Sequence, residues 1–325
     1  MTRPLVYVTR RLAVDPAAVL GPDFDVDVWP GERAPTRDEL LANARNAAGL
    51  VTLLSDPIDE ALLAGLPKLQ VVANYAVGYD NIDVKAAAAR GIWVTNTPDV
   101  LTDATADIAF TLLLAVARRV REGERMVRDG KFHGWGPTML LGKDLAGKTI
   151  GIFGFGRIGQ AMARRARGFG MKVVYTQRSR APEAIERELG AEKVPFSDLL
   201  SRADVISVHC PLTPETRHAF GAAELARMKR GAILINTGRG PVVDEAALVA
   251  ALESGHLFGA GLDVYEREPT VHPGLLRRDD VVLLPHLGSA GEDTRRMMAE
   301  LALTDVARVI RGDRPLHPVN QPAGR

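Results

Sequence analysis

The chain has 325 residues, of which 46% are hydrophobic and 25% are charged, which is the size and composition of a globular protein with two domains. Lysine and arginine together number 41 against 40 aspartates and glutamates. The net charge of +1 therefore argues against broad electrostatic binding to nucleic acid or to an anionic membrane.

No targeting or membrane segment is predicted. The apolar run Leu5–Val8 is shorter than the core of a secretory signal. The most apolar stretch, residues 108–117, falls well short of the roughly 20 residues needed to span a bilayer. Cys210 is the only cysteine, which excludes an intramolecular disulfide and fits a reducing compartment. We therefore expect a soluble, cytoplasmic protein.

The first hundred residues alternate between strand and helix patterns. Short apolar runs rich in β-branched residues predict strands over residues 5–9, 26–29, 50–54, 69–73 and 92–95. Between them, Thr36 and Glu39 have the spacing of a capping box. Asp83 is placed to cap a helix over residues 84–90 that ends at Gly91. This alternation predicts a parallel sheet with helices on both faces.

A long helix is predicted over residues 102–129, where alanine and leucine predominate. Because it is apolar over much of its circumference, it should be buried in a core or in a subunit interface. Gly134, Pro137 and Gly142 then indicate a loop, in which Trp135 is a large aromatic residue expected at the surface.

A second alternating block begins at residue 149. Its apolar runs predict strands over residues 149–153, 172–176, 205–209, 232–236, 260–264 and 281–284. Helical patterns cover residues 158–168, 196–202, 244–254 and, at the end of the chain, 293–311. The chain therefore consists of two α/β blocks.

A glycine-rich turn follows the first strand of this block and opens a helix, which is the context of a dinucleotide-binding motif. Its glycines let backbone N–H groups approach a pyrophosphate, whose charge the helix N-terminus favours. The residues predicted to bind a cofactor there are Gly154, Gly156, Arg157, Ile158 and Gly159. The alternative is a tight strand-to-helix turn without a ligand.

The residues after the next strand indicate which nicotinamide cofactor is used. NAD sites place a carboxylate there to bind the ribose hydroxyls, whereas this chain has Gln177, Arg178, Ser179 and Arg180. Two guanidinium groups and a hydroxyl can bind a 2′-phosphate, so we expect NADPH to be preferred, with NADH possible. The alternative is that both arginines are solvated surface charges and that both cofactors work.

Arg239, Glu268 and His286 follow later strands and carry the groups needed to reduce a 2-oxo acid. Arginine offers a planar fork for a carboxylate, and histidine can pass a proton near neutral pH. A nearby carboxylate would keep the histidine charged. Spacing alone leaves open whether the three residues converge, because each also has an ordinary structural role.

The remaining histidines are weaker candidates. His209 ends a strand without an evident carboxylate partner. Solvation is expected for the others, which lie in loops or polar stretches: His133, His218, His256, His272 and His317. No residues have convincing metal-ligand spacing, and no serine lies in a nucleophile-elbow motif, so we predict no metal site.

Six motifs in order resemble those of the D-isomer-specific 2-hydroxyacid dehydrogenase family, and within it the glyoxylate/hydroxypyruvate reductases. They begin at residues 74, 141, 147, 236, 261 and 284 and read NYAVGYD, LGKDL, GKTIGIFGFGRIGQAMARRARGFG, NTGRG, GLDVY and LPHLGSA. The likeness extends from about residue 50 to residue 319.

The resemblance implies two doubly wound α/β parallel-sheet domains, of Rossmann and flavodoxin-like type, with the active site in the cleft between them. The substrate-binding (lid) domain would comprise residues 1–98 and 287–325, and the dinucleotide-binding Rossmann domain residues 99–286. It also implies a homodimer, in which the long helix packs against the partner and accounts for the apolar surface of residues 102–118.

The resemblance further implies roles for individual residues. Arg239 would bind the substrate carboxylate and polarise the carbonyl, His286 would donate the proton, and Glu268 would keep His286 oriented and protonated. The implied substrate contacts, which include backbone N–H groups near Val77 and Gly78, are Leu53, Val77, Gly78, Trp135, Arg239, His286 and Ser289. Besides the glycine-rich turn and the segment 177–180, the implied cofactor contacts are Thr105, Cys210, Pro211, Thr216, Thr237, Gly238, Asp263, His286 and Gly288. Asp263 would bind the nicotinamide carboxamide.

Three details favour the reductase branch. They are Ser289, the NADPH pattern and Trp135, which resembles a loop tryptophan that reaches into the partner subunit's site. Two residues depart from the family pattern, namely Gly238, where relatives usually have Ala or Ser, and Gly291, where they usually have Thr. The predicted reaction is reduction of glyoxylate or hydroxypyruvate to the D-2-hydroxy acid.

Other functions on this fold remain as alternatives. A phosphoglycerate dehydrogenase or another D-2-hydroxyacid dehydrogenase shares the core, but the NADPH pattern and the lack of an added regulatory domain fit the former poorly. Formate and phosphite dehydrogenases also share the fold, but they handle smaller substrates and favour NAD. A cofactor-sensing binding protein, like the corepressors built on this fold, would bind cofactor but reduce 2-oxo acids slowly or not at all.

Overall fold

The structure is a computed structural model that describes residues 3–322. The chain divides into two compact units. The first contains the chain up to Leu101 and the part from Ala290 onward, and the second is Thr102–Ser289. Each unit is built on a parallel sheet, as the alternation of strand and helix patterns predicted.

The sheet of the first unit has five parallel strands in the order β2-β1-β3-β4-β5. The strands are β1 (Leu5–Val8), β2 (Asp25–Val28), β3 (Ala47–Thr52), β4 (Val71–Asn74) and β5 (Trp93–Thr95). The helices between them are α1 (Pro16–Leu20), α2 (Arg37–Ala44), α3 (Glu60–Ala64) and α4 (Val84–Ala89). The strand order reverses between β1 and β3, which makes their carboxyl ends the switch point of this sheet.

The predicted strands and caps of this unit are confirmed, with one shift. Thr36 and Glu39 form the capping box of α2, and the Asp83 side chain caps α4. β3 begins earlier than predicted, at Ala47, which pairs with Leu5 of β1. Small residues favour strands only weakly, but β3 lies between two other strands, and this pairing overrides the local preference.

The sheet of the second unit has seven parallel strands in the order β12-β11-β10-β9-β6-β7-β8. The strands are β6 (Thr149–Phe153), β7 (Lys172–Thr176), β8 (Ala191–Lys193), β9 (Val205–Val208), β10 (Ile233–Asn236), β11 (Gly259–Leu262) and β12 (Val281–Leu283). The helices are α5 (Thr102–Ala117), α6 (Val120–Arg128), α7 (Arg157–Gly168), α8 (Glu183–Leu189), α9 (Phe196–Arg202), α10 (Ala222–Arg227), α11 (Glu245–Glu253) and α12 (Pro273–Leu276), with a 3-10 turn at Gly240–Val242. The order reverses between β6 and β9, as in a Rossmann domain.

All six strands predicted for this block are confirmed, but β8 was not predicted. It has three residues, two of them charged, and it pairs only with β7 at the edge of the sheet. So short a strand with exposed charges lacks the apolar run on which the prediction depends.

The single helix predicted over residues 102–129 is wrong, because the chain forms α5 and α6 instead. Arg119 lies between them in the left-handed conformation, with φ of 52°, and a right-handed helix cannot continue through it. The Lys143 N–H also donates to the Ala117 carbonyl at 2.7 Å. A residue of the loop after α6 therefore satisfies the end of α5.

The apolar surface of α5 is used within its own unit. Phe110, Leu112 and Leu113 lie in one hydrophobic core with residues of β6 and α7. Of the two predicted environments, the structure shows burial in a core. This packing accounts for the apolar character of residues 102–118 without a subunit interface. Exposed apolar side chains lie instead on α6 and the loop after it: Val120, Val127, Phe132, Trp135, Met139 and Leu141.

The last helix, α13 (Glu292–Ile310), and the segment that follows it complete the first unit. The Val319 N–H donates to the Val94 carbonyl at 2.7 Å. Asp305 is fully buried on α13 and lies 3.0 Å from Nδ1 of His317. His317 was expected to be solvated, and that expectation is wrong because it pairs with this carboxylate. No helix within residues 3–322 is long and apolar enough to cross a membrane.

Candidate active site

The glycine-rich turn lies at the switch point of the second sheet. Gly154 follows β6 directly and has φ of 96°, a conformation that favours glycine. A Cβ on Gly154 would lie 2.7 Å from the Cys210 nitrogen, so the turn packs closely against the chain that leaves β9. Arg157, Ile158 and Gly159 form the first turn of α7. These predicted cofactor residues therefore share the edge where open sheets bind ligands.

Two features of this edge fit a dinucleotide. Gly156 is the N-cap of α7 and makes no side-chain cap, so the first N–H groups of this helix can face an anion. A Cβ on Gly156 would come within 4 Å of no neighbouring atom in residues 3–322. Packing therefore does not account for this glycine, whereas close approach of a pyrophosphate does. The hydroxyl of Thr237, just after β10, is buried and has no hydrogen-bond partner within residues 3–322. Such a group is suited to bind a polar atom of a ligand.

The structure distinguishes the two arginines predicted to bind a 2′-phosphate. Arg180 Nη2 lies 2.8 Å from Glu186 Oε2. Hydrogen bonds from Arg180 and Tyr175 lower the pKa of Glu186, which keeps this carboxylate charged and paired. Arg178 and Ser179 are exposed. The Arg178 guanidinium lies near enough to Glu215 to lower the pKa of that carboxyl, but it forms no ion pair within residues 3–322, so it is the more available of the two.

Other predicted cofactor residues support the loops at this edge. Gln177 Oε1 accepts a hydrogen bond from the Phe155 N–H at 3.2 Å, inside the glycine-rich turn. Thr216 Oγ1 donates to the Pro211 carbonyl at 2.8 Å and so folds the loop after β9. Burial raises the pKa of Cys210 to about 12, which makes its thiol a neutral packing group.

His209 is a neutral residue in the interior beside this edge. Burial lowers its pKa to about 3, and its Nε2 lies 2.8 Å from the Ser207 hydroxyl. Its ring therefore carries no charge near neutral pH, in keeping with the lack of a carboxylate partner in the sequence pattern.

Arg239 is held in a turn that Asn236 stabilises from both sides. Asn236 Oδ1 accepts from the Gly238 N–H at 3.0 Å, and Asn236 Nδ2 donates to the Arg239 carbonyl at 3.0 Å. The Arg239 guanidinium donates to the Gly238 carbonyl at 3.0 Å. Asn236 was not predicted as a site residue, although an asparagine that ends a strand two residues before a glycine is a known turn signal.

His286 and Glu268 form a hydrogen-bonded pair. His286 Nδ1 lies 2.9 Å from Glu268 Oε2, and about a third of each side chain is exposed. The other carboxylate oxygen of Glu268 accepts from the Tyr265 N–H at 3.1 Å. The His286 N–H donates to the Asp263 carbonyl at 3.0 Å. Backbone contacts therefore hold both members of the pair.

The charge of Glu268 is stabilised by its neighbours. Burial raises the pKa of this carboxyl, but the hydrogen bond from His286 and the charges of His286 and Arg239 outweigh burial, and the pKa is lowered. Glu268 is therefore ionised at neutral pH and can accept the hydrogen bond of the His286 ring.

Arg239, Glu268 and His286 converge within the second unit, which spacing alone had left open. Gly240, the residue after Arg239, packs so closely on the Tyr265 backbone that a Cβ would overlap the Tyr265 carbonyl. This contact brings the turn of Arg239 against the loop that ends at Glu268. The effect of the Arg239 charge on Glu268 reflects the same proximity.

Asp263 positions the loop after His286. Its two carboxylate oxygens accept from the Leu287 N–H at 2.6 Å and from the Gly288 N–H at 2.7 Å. Burial raises its pKa, and these two N–H groups oppose that rise. A Cβ on Gly288 would lie 3.3 Å from Thr105 Cγ2, so Thr105 is beside this loop, and half-buried Ser289 follows it. The contact of Asp263 with a nicotinamide remains a prediction.

The substrate residues predicted in the first unit lie after β3 and β4, where two asparagines link their loops. Asn81 Nδ2 donates to the Leu53 carbonyl at 3.0 Å. Asn74 Nδ2 donates to the Gly78 carbonyl at 2.6 Å and to Asn81 Oδ1 at 3.2 Å. Neither asparagine was predicted, because the sequence does not show which carbonyls they meet. Val77 lies in the same loop as Gly78.

Trp135 is 82% exposed, in the loop between α6 and β6, and is the most exposed of the large apolar side chains described.

Within the described residues, no group of three His, Cys, Asp or Glu side chains is arranged to hold a metal ion.

Comparisons with known proteins agree with this geometry. Residues 110–288 match the family described as D-isomer specific 2-hydroxyacid dehydrogenase, NAD binding domain. The chain is 51% identical over 323 residues to a protein named glyoxylate reductase from Thermococcus litoralis, covering 98% of this chain and 97% of that one. It is 50% identical over 322 residues to a glyoxylate reductase from Korarchaeum cryptofilum, covering 98% and 96%.

A solved structure is similar over the same length. It is an NADPH-dependent glyoxylate/hydroxypyruvate reductase from Sinorhizobium meliloti in complex with NADP and malonate. That chain is 37% identical to this one, with a TM-score of 0.87 and 98% of each chain covered.

Proposed function

Because the chain belongs to the D-isomer specific 2-hydroxyacid dehydrogenase family, we propose that it reduces glyoxylate and hydroxypyruvate to D-2-hydroxy acids with NADPH. The observation that carries this proposal is the pairing of His286 with Glu268 at 2.9 Å, beside Arg239 and at the edge that carries the dinucleotide turn. The unit Thr102–Ser289 would bind the cofactor, and the other unit would bind substrate. The names of the most similar relatives support glyoxylate as a substrate.

Each of the three residues has a distinct task in this reaction. The Arg239 guanidinium pairs with the substrate carboxylate and polarises the neighbouring carbonyl. His286 gives its proton to the carbonyl oxygen as that oxygen gains charge. Glu268 keeps the His286 ring oriented and protonated until then. The bound nicotinamide supplies the hydride that the carbonyl carbon accepts. Leu53, Val77, Gly78, Trp135 and Ser289 remain proposed substrate contacts.

The reaction is tested by following the absorbance of NADPH with four substrates in turn: glyoxylate, hydroxypyruvate, pyruvate and phosphohydroxypyruvate. We expect rapid oxidation with the first two. Fastest turnover with phosphohydroxypyruvate would favour a phosphoglycerate dehydrogenase instead. Tight NADPH binding without turnover of any of the four would favour a cofactor-sensing protein.

Arg178 should carry more of the preference for NADPH than Arg180. Its guanidinium forms no ion pair in residues 3–322 and acts on the Glu215 carboxylate only through its charge, whereas Arg180 is hydrogen-bonded to Glu186. A charge-assisted contact contributes about 1.5–3 kcal/mol, so Arg178→Ala should raise the KM for NADPH at least about tenfold and leave the KM for NADH within about twofold.

Arg180→Ala is the matched control, because it removes the same charge two residues away. It should change either KM by no more than about threefold, since Glu186 already holds that side chain. Equal losses for NADPH and NADH in Arg178→Ala would contradict the assignment of Arg178 to the 2′-phosphate.

We also propose a homodimer. The apolar side chains of α6 and the following loop, among them Val127, Phe132 and Leu141, are exposed, and subunit interfaces cover side chains of this kind. Trp135, in the same loop, would then meet the partner subunit.

A further inference from the structure

His218 contacts both segments that carry the proposed catalytic residues. Its ring Nε2 lies 2.5 Å from Glu266 Oε1, two residues before Glu268. Its backbone N–H donates at 2.8 Å to the carbonyl of Pro241, in the 3-10 turn that follows Arg239. His218 is exposed, as predicted, but it also joins the turn of Arg239 to the loop of Glu268.

Two hydrogen bonds link Glu266 and Glu245, and each residue is the donor in one of them. The Glu266 N–H donates to Glu245 Oε1 at 2.9 Å, and the Glu245 N–H donates to Glu266 Oε2 at 3.1 Å. Glu245 is buried in the first turn of α11, and burial raises its pKa. The two oxygens of Glu266 therefore anchor the loop, one to α11 and the other to His218.

We propose that His218, Glu245 and Glu266 form a positioning clamp that holds the Glu268 loop against the Arg239 turn and so sets the rate of the proposed reaction. Within the second unit, their described side-chain contacts are with one another and, for Glu245, with His272, and not with the predicted cofactor or substrate residues. Only Arg267 separates Glu266 from Glu268 along the chain, so movement of Glu266 displaces the carboxylate that orients His286. The kinetic part of this proposal rests on the proposed function.

The clamp is tested first with Glu266→Ala, which removes both anchors. Misplacement of a catalytic group by about 1 Å can cost on the order of a hundredfold in rate, and Tyr265 still holds Glu268 from one side. We therefore expect kcat with glyoxylate to fall roughly tenfold and the KM for NADPH to stay within about twofold. Glu266→Gln keeps an acceptor oxygen and should recover most of kcat.

The second readout does not depend on turnover. Histidine side-chain NMR reports the environment of the His286 ring, with His286→Ala identifying its signals. The ionised groups that face this ring in the second unit are Glu268 and Asp263, with Arg239 acting on Glu268. In Glu266→Ala the hydrogen bond that His286 Nδ1 donates to Glu268 loosens, so the His286 ring resonances should move away from their positions in the unmodified protein.

Two further variants keep the test decisive. His218→Ala alters a side chain that is 43% exposed, so the fold should tolerate it, and it should lower kcat about threefold with a smaller shift in the same direction. Glu192→Ala removes an exposed ion pair with Arg202 and should change neither readout.

If Glu266→Ala and His218→Ala both match Glu192→Ala in kcat and in the His286 ring resonances, the clamp does not exist. If the unmodified protein turns over no 2-oxo acid, the proposed reaction fails, while the His286 ring resonances still decide whether the clamp positions Glu268.

Discussion

Replacing His286 with alanine should lower kcat for glyoxylate reduction about a thousandfold, which corresponds to about 4 kcal/mol of lost transition-state stabilisation. The reason is geometric. His286 is held by its backbone bond to Asp263 and by its ring bond to Glu268, and no other described histidine forms a hydrogen bond with Glu268. Without its ring, nothing at that position protonates the carbonyl oxygen.

Cofactor binding and the fold should be affected much less than the rate by this change. About a third of the His286 side chain is exposed, so the fold should tolerate the change. Because His286 is only one of many predicted cofactor contacts, NADPH affinity, measured by fluorescence, should weaken far less than kcat falls. His256→Ala is a suitable control, because its ring is also hydrogen-bonded, to the Met228 carbonyl at 2.9 Å, but belongs to no site loop. Turnover of His286→Ala near that of the control would refute the role of proton donor.

Glu268→Gln separates orientation from charge at the same position. An amide keeps the shape and one acceptor oxygen but loses the charge that favours protonated His286. Its activity should therefore lie between those of the unmodified protein and His286→Ala.

The second sheet could be predicted largely because its determinants are local. Apolar β-branched runs identify most of its strands, and the glycines after β6 satisfy demands of the adjoining backbone, such as φ of 96° at Gly154. Parallel strands also bring their carboxyl ends to one edge. The sequence could thus place Arg239 and His286 on one side of the sheet without measuring the distance between them.

What could not be predicted depends on partners distant in the chain. The break after α5 involves Lys143 from the loop after α6. The pairing of His317 with Asp305 and the difference between Arg178 and Arg180 depend on which carboxylates the fold places nearby. Local sequence patterns indicate whether a residue is expected to be exposed to solvent. They do not show whether a buried carboxylate lies within hydrogen-bond distance of it.

The asparagines are a related case. Asn236 is positioned to stabilise the turn of Arg239, and Asn74 supports the loop of Gly78. Each lies at the end of a strand inside one of the motifs that carry the family resemblance. Their function is to satisfy backbone groups of the loops, which becomes visible only when the carbonyl they meet is known.

Replacing Arg239 with alanine should lower kcat/KM for glyoxylate by about a hundredfold to a thousandfold, because the substrate carboxylate loses its bidentate partner. Arg239→Lys should recover only part of this loss, since an ammonium group lacks the planar fork that matches a carboxylate. NADPH affinity should be nearly unchanged, because the predicted cofactor contacts come from other residues. Arg202→Ala, which removes an exposed ion pair with Glu192, is the control.

A substrate without a carboxylate makes this prediction specific. The unmodified protein should reduce glyoxylate far better than acetaldehyde, which offers the same reacting carbonyl but no anion for Arg239. In Arg239→Ala, most of that preference should disappear, because the interaction between the two charges is already absent. If the variant lost the same factor with both substrates, Arg239 would act on the carbonyl or on the turn built by Asn236, and the carboxylate would have to be bound elsewhere.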